Sequence, residues 1–261
     1  MYTDTHFHCN EMIKKKYSLN DIRSLFGTQS VSLAIDIGIR GAEEFAERKK
    51  NIGDIPEVYL CCGYHPSQTR YIDPQDIEAA LAPVLSDEKV IGVGEMGMDF
   101  HWDFGSAIEQ KNVFMAQIET ANRHSLPIIV HNRKASKDVL AVLQDCRPEY
   151  GGIMHCFDSD LDTAISALDL GMYISFAGNL TFKRNQYLRE LIRAIPIDKL
   201  LLETDSPYLT PEPKRGQPNN PANIEHIYAC AAAARNISVD KIVHAVRANT
   251  QQLFPRIKPL E

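Results

Sequence analysis

Eight short apolar, β-branched runs recur along this chain, and that recurrence limits its fold more than any other feature. They occupy residues 2–8, 31–37, 58–63, 90–95, 128–131, 152–157, 172–176 and 200–205. With the sixth run ended at His155, their C-terminal ends lie 21 to 36 residues apart, room enough for the crossover helix that two parallel strands need. Several are almost continuously apolar, as in Leu33-Ala34-Ile35, Ile128-Ile129-Val130 and Leu200-Leu201-Leu202, which is the pattern of strands covered on both faces. Between them, Leu161, Ala164, Ile165 and Leu168, and likewise Ile77, Leu81, Val84 and Leu85, repeat at helical spacing and predict helices with one buried face. Eight alternating units in 261 residues predict a (β/α)₈ TIM barrel, one domain over 1–261. A Pro-rich loop at 210–222 and extra C-terminal helices at 224–236 and 238–249 complete it. An open doubly wound sheet is the competing arrangement. It lacks support, because the first run leads into two histidines rather than a Gly-rich dinucleotide fingerprint.

Charge narrows the partners. With 28 Lys and Arg against 34 Asp and Glu, the net charge is −6, so no global positive field draws nucleic acid or anionic membrane, and any such binding needs a local patch. No apolar stretch reaches the roughly 18 residues of a membrane helix, and residues 1–10 hold no apolar core of a signal peptide. The expectation is a cytoplasmic protein without a membrane partner. The six cysteines, Cys9, Cys61, Cys62, Cys146, Cys156 and Cys230, show no C-x-x-C spacing and read as small buried hydrophobes.

In a (β/α)₈ barrel the C-terminal strand ends converge on one face, where active sites are built. Here those ends are polar: His6 and His8 close the first run, Glu95 the fourth, His131 the fifth, His155 the sixth, and Glu203 and Asp205 the eighth. Side chains alternate along a strand, so His6 and His8 share a face, as do Glu203 and Asp205. Imidazoles and carboxylates gathered in a small volume are costly unpaired, whereas a divalent metal satisfies their lone pairs and their charge together. An isolated histidine is ordinarily a hydrogen-bonded core residue. Of the nine here, though, four sit at such run ends, while His124, His226 and His244 fall in helical segments and read as structural. Glu95, between the two histidine pairs, could bridge two metals, an arrangement suited to phosphate-ester hydrolysis. Glu203 reads as a carboxylate orienting a ligand. His65, after the third run, reads as a donor to a phosphate oxygen or as a loop-stabilising residue.

The motifs Asp4-Thr5-His6-Phe7-His8, Gly63-Tyr64-His65-Pro66, Gly92-Val93-Gly94-Glu95-Met96-Gly97-Met98-Asp99, Pro127-Ile128-Ile129-Val130-His131-Asn132-Arg133, His155-Cys156-Phe157, Glu203-Thr204-Asp205-Ser206-Pro207-Tyr208-Leu209-Thr210-Pro211 and Arg215-Gly216 follow in order over nearly the whole chain. In this the sequence resembles the TatD-related metal-dependent hydrolases, within the wider amidohydrolase-like barrels. The resemblance implies a barrel with two divalent ions (Mg, Mn or Zn) and nuclease activity that often removes nucleotides from a DNA 3′ end. It implies His6, His8 and Asp205 on one metal, His131 and His155 on the second, and Glu95 on both. The sequence departs after His131, with Lys134 where relatives usually carry an acidic residue, and Tyr64 and Ser67 flank His65 in a variable loop. Some relatives serve in multi-protein bacterial defence or DNA-quality systems, so protein partners of that kind are a further expectation of the resemblance.

Asp205, Glu95 and His65 are the expected catalytic residues, Asp205 as acceptor of the attacking water's proton. Basic residues follow several runs: Lys14, Lys15 and Lys16; Arg133 and Lys134; Lys183 and Arg184; Lys214 and Arg215. Arg48, Lys49 and Lys50 instead read as partners of a helix C-terminal dipole. Phe100, Trp102, Phe104, Phe157, Phe182 and Tyr208 lie on the same side as the basic loops, and exposed aromatics among cations suit single-stranded DNA. Arg133, Lys214, Arg215 and Trp102 are the expected substrate contacts, with Phe100 beside them. The competing functions are a small-molecule amidohydrolase or esterase on the same barrel and a binding protein with a vestigial site. The first lacks a lysine at the fourth strand end, and the second is disfavoured because every ligand position is filled.

Overall fold

A computed structural model describes residues 1–27 and 31–258. Its strands are β1 (Tyr2–Phe7), β2 (Val31–Ile37), β3 (Val58–Cys62), β4 (Val90–Asp99), β5 (Ile128–Arg133), β6 (Gly152–Met154), β7 (Met172–Phe176) and β8 (Leu200–Leu202). All pair in parallel, in chain order. Bonds closing the seam from β8 back to β1 include Thr5 Oγ1 to Leu202 O at 3.1 Å, Asp205 N to His6 O at 2.9 Å and His8 N to Ser206 O at 2.8 Å. The result is a TIM barrel.

Helices cover the outside: α1 (Cys9–Lys14), α2 (Leu19–Arg23), α3 (Phe45–Ile52), α4 (Ile77–Leu85), α5 (Ala107–Arg123), α6 (Ser136–Asp145), α7 (Leu161–Asp169) and α8 (Gln186–Ala194), followed by the extra α9 (Ile224–Arg235) and α10 (Val239–Leu253). Ser18 and Ser106 start α2 and α5 as full capping boxes with Asp21 and Glu109, each satisfying backbone donors that a helix start leaves free. Opposite the strand ends that carry the histidines, Asn249 of α10 donates to Ile197 O and Leu200 O, and Arg256 donates to Leu85 O and Val90 O. Among the described residues no helix is long and apolar enough to cross a membrane.

Three expectations need correcting. On α4, Ile77, Leu81 and Leu85 are buried as expected, but on α7 the buried face is Thr163, Ala164 and Ala167, while Leu161 and Ile165 are exposed. Leu168 stays partly buried against the core, so the buried face of α7 centres on its small residues and only Leu161 and Ile165 fall outside it. Strand β4 runs four residues past Glu95. Arg48 is no dipole partner at a helix end: it lies inside α3 on the face of Phe45 and Ile52 and is 1% exposed. All six cysteines are free; Cys9, Cys61 and Cys62 are buried, whereas Cys146, Cys156 and Cys230 are partly exposed.

Candidate metal centre at the barrel mouth

Strand alternation assembles the site. His6 is on β1 and His8 just beyond it; Glu95 and Asp99 share the inner face of β4; His131 is on β5; His155 follows β6; and Asp205 lies three residues past β8. Close approach of β4 to β5 makes the glycine before Glu95 and the glycine between the two carboxylates obligatory. At Gly97 (φ +140) a Cβ would lie 2.0 Å from His131 O, and at Gly94 (φ +150) one would lie 2.7 Å from Ile129.

Three of the inward-facing histidines are anchored from behind. His8 Nδ1 donates to Ile37 O at 2.9 Å, His155 Nδ1 meets Glu203 Oε1 at 3.1 Å, and His131 Nε2 meets Asp99 Oδ2 at 3.0 Å. A proton held on the outer nitrogen leaves a lone pair on the inner one, the tautomer of a metal ligand. Yet those inner nitrogens crowd other lone pairs. His8 Nε2 is 3.0 Å from His6 Nε2, and His131 Nδ1 is 2.7 Å from Glu95 Oε1 and 3.4 Å from His155 Nε2. Only protons or cations between them make such contacts favourable.

Two donor sets result, and Glu95 belongs to both. Glu95 Oε2 is 3.5 Å from His6 Nε2 and 3.6 Å from His8 Nε2, with Asp205 Oδ1 3.9 and 3.5 Å from the same nitrogens. Glu95 Oε1 faces His131 Nδ1 at 2.7 Å, His155 Nε2 at 2.9 Å and His65 Nε2 at 3.8 Å. Ligand atoms about 2.0–2.2 Å from a tetrahedral ion lie about 3.3–3.6 Å apart, so the carboxylate–imidazole contacts of the first set have the spacing of a divalent cation site, whereas the 2.7 and 2.9 Å contacts of the second are hydrogen-bond distances that would open around an ion. The ligand atoms of His6, His8 and Asp205 lie within 4.8 Å of one another, as do those of His65, Glu95 and His131, and those of His6, His155 and Glu203.

The electrostatics demand positive charge. Burial pulls His8 down, but Asp205 and Glu95 outweigh it and push it up to about 9. His155 is raised well above the usual value, Glu95 and Glu203 overcoming burial. Burial and the neighbouring His155 hold His6 down at about 3. Glu95 lies well below the usual carboxylate range despite burial, held there by His155, His65 and His131.

His65 differs from the other histidines. Its Nδ1 accepts the Ser67 amide at 3.1 Å, so the proton resides on Nε2, which points at Glu95. A neutral His65 therefore presents a donor, not a lone pair. Glu203 is fully buried, and one oxygen accepts both His155 Nδ1 and the Cys156 amide (2.8 Å). Its other oxygen, like His6 Nδ1, has no partner among the described residues.

Trp102 is 55% exposed and the Arg133 guanidinium lies 5.8 Å from its ring; Asp99 links them to the site by accepting the Trp102 and His101 amides. Arg215 lies over Phe182 at 4.1 Å and donates to Thr210 O, and Lys214 is half-buried beside it. Phe100 and Tyr208 are exposed, whereas Phe157 and Phe182 are buried and cap the core. His124 bonds Glu78, and His244 bonds Asp240 O within its own helix, so neither joins the centre.

Two participants escape a reading of the sequence. Asp99 was detectable, because Glu95, Gly97 and Asp99 alternate onto one face. Asp4, fully buried, accepts Thr204 N at 2.8 Å, Thr204 Oγ1 at 2.7 Å and His6 N at 3.3 Å, tying the backbone beside His6 to that beside Asp205. Nothing in the spacing reveals the tie to Thr204, which spans 200 residues.

Comparison with known proteins agrees with this fold. The TatD related DNase family matches residues 3–255. An uncharacterized metal-dependent hydrolase of Bacillus subtilis, YabD, is 33% identical over 257 residues, covering 97% of this chain and 99% of its own. YcfH of Escherichia coli, also an uncharacterized metal-dependent hydrolase, is 37% identical over 204 residues, 78% of this chain and 76% of its own. The structure of YJJV, a TatD homolog from Escherichia coli, superposes with a TM-score of 0.86 at 28% identity, covering 97% of this chain and 98% of that one. An uncharacterized amidohydrolase from Saccharomyces cerevisiae shares the fold, with a TM-score of 0.79 at 17% identity. A mouth of inward lone pairs needing cations, in a chain matched almost end to end, places this protein in the TatD related DNase family, as a metal-dependent hydrolase.

Proposed function

We propose that this chain hydrolyses the phosphodiester bonds of DNA as a 3′–5′ exonuclease, using two divalent ions. The observation carrying the two-ion reading is the division of the Glu95 carboxylate, one oxygen toward His6, His8 and Asp205 and the other toward His131 and His155. His6, His8 and Asp205 would hold one ion, His131 and His155 the other, with Glu95 shared. Divalent ions held there would lower the pKa of a water and neutralise charge on the phosphate oxygens. Asp205, at the open edge of the first donor set, takes the proton of the attacking water. His65 donates its Nε2 proton to a phosphate oxygen and so orients the scissile group. Glu203 and Asp99 keep His155 and His131 in the ligand tautomer.

DNA is favoured as substrate by the rim. Trp102 offers a stacking face with Arg133 beside it, and Lys214 and Arg215 form a second cationic edge. Stacking of a base is worth about 1–3 kcal/mol without regard to sequence, which suits an enzyme that works along a strand from its end. The test is metal-depleted protein given back Mg²⁺, Mn²⁺ or Zn²⁺ and assayed on 3′- and 5′-labelled single-stranded and duplex DNA beside a panel of esters and amides. Stepwise loss of the 3′ label is the expected result. Hydrolysis of esters or amides without any of DNA refutes the DNA reading and favours the amidohydrolase.

A further inference from the structure

A metal site is set by what lies behind its ligands as much as by the ligands themselves. Behind His8 and Glu95 lie the last two residues of β2 and Gly38 just beyond it, each of which holds part of the centre. Asp36 Oδ1 accepts the amide of Cys9, next to His8, at 2.7 Å; Ile37 O accepts His8 Nδ1 at 2.9 Å; and Gly38 O accepts the Glu95 amide at 3.0 Å. One buried side chain grips the first of these residues directly and shares a carbonyl with the third. Arg48 donates Nε to Asp36 Oδ2 at 2.6 Å, Nη2 to Asp36 O at 2.7 Å and Nη1 to Cys61 O at 3.0 Å. Gly38 N shares the Cys61 carbonyl at 3.0 Å. The fit is close, since a Cβ on Gly38 would lie 2.3 Å from Arg48 Nη1.

We propose that Arg48 is a positioning residue for the metal centre, clamping residues 36–38 so that Ile37 O and Gly38 O orient His8 and Glu95. The inference rests on the reading of those two residues as ligands. A plain structural role explains the grip less well. A buried ion pair gives little net stability over apolar residues of equal volume, whereas a rigid planar fork meets a carboxylate and two carbonyls in a fixed plane. Lysine, a point charge on a flexible stem, keeps the charge and loses the plane.

The experiment titrates Co²⁺ into metal-free wild-type protein, Arg48→Lys and a control, Arg256→Lys, following visible absorption, with thermal unfolding of each metal-free protein alongside. Arg256 grips Leu85 O and Val90 O at the far end of the barrel, so its loss destabilises without touching the mouth. Arg48→Lys is expected to bind Co²⁺ at least about tenfold more weakly, with a shifted spectrum, while Arg256→Lys stays within about twofold of wild type. Should Arg48→Lys not fold, Gly38→Ala, which displaces the guanidinium without changing charge, carries the same expectation. A wild-type isotherm and spectrum in whichever of these variants folds, or an equal loss of affinity in Arg256→Lys, overturns the proposal. Absence of Co²⁺ binding by the wild type instead overturns the ligand assignment on which it rests.

Discussion

Replacing Glu203 by glutamine tests whether the buried carboxylate beneath His155 orients a ligand or is one. The structure admits both, since Glu203 lies within ligand distance of His6 and His155. Geometry favours orientation, because the oxygen turned toward His155 already accepts two N–H groups, at 3.1 and 2.8 Å. Glutamine keeps that oxygen and both bonds, so His155 retains its place and tautomer. What it loses is the negative charge that makes His155 a better electron donor. Removing such a partner weakens metal binding about 10- to 100-fold, which is about 1.4–2.7 kcal/mol. The new amide would also bury N–H donors where Glu203 Oε2 has no partner, a cost of about 1–3 kcal/mol offset by no longer burying a charge. Little change in metal-free stability is therefore expected. Competition against a chromophoric chelator, with Zn²⁺ as the probe, reads the affinity and the stoichiometry together. The expected result is unchanged stoichiometry with one weakened site. Loss of a whole equivalent would make Glu203 a ligand, and wild-type affinity would leave it no role; either refutes the reasoning.

Repletion with Zn²⁺ or Mn²⁺ is expected to give about two ions per chain by elemental analysis, with Glu95→Ala losing both and His155→Ala only one; equal single losses would show that Glu95 does not bridge. Asp205→Asn is expected to slow DNA hydrolysis more than about 10²-fold while DNA affinity stays within a few fold, measured by single-turnover kinetics and equilibrium binding. Neutralising Lys214 and Arg215 together should do the reverse, weakening binding at every sequence and lowering the salt slope by about one unit for each phosphate no longer neutralised; an unchanged slope would remove them from the interface. Because His8 is raised to about 9, the metal-free protein holds a proton there at neutral pH, and metal binding must expel it. Metal affinity should therefore fall as pH drops below about 9, by up to tenfold per unit, with proton release detectable in weakly buffered solution.

The sequence revealed the barrel because its parallel strands are buried on both faces and so stand out as apolar runs, and it revealed six ligand candidates because each ends such a run. What it concealed depends on partners far away along the chain. Arg48 reads as surface charge until α3 is seen to carry it on the face of Phe45 and Ile52. Asp4 looks like a motif residue without a task until Thr204 is brought beside it. The aromatics were separable only in three dimensions, since Phe182 and Trp102 occupy equivalent loop positions yet one is buried under Arg215 and the other faces solvent. Leu161 and Ile165 misled because period alone does not fix where on a helix the buried face is centred.

The β8–β1 seam has a consequence for how the protein comes into being. His6 and His8 are made some 200 residues before Asp205 and its neighbour Thr204, and the seam that joins them closes the longest loop in the barrel. Contacts so distant in sequence form only after the entropy of that closure has been met, so they belong to the late part of folding. Until then the chain holds half a donor set on each free edge. A divalent ion that grips both edges binds the closed barrel far better than any open form, and by mass action it drives the final closure. On the proposed ligand assignment, metal supply would act on the yield of folded protein as well as on its chemistry, and withholding it during refolding should leave chains with seven strand pairings made and the eighth still opening and closing.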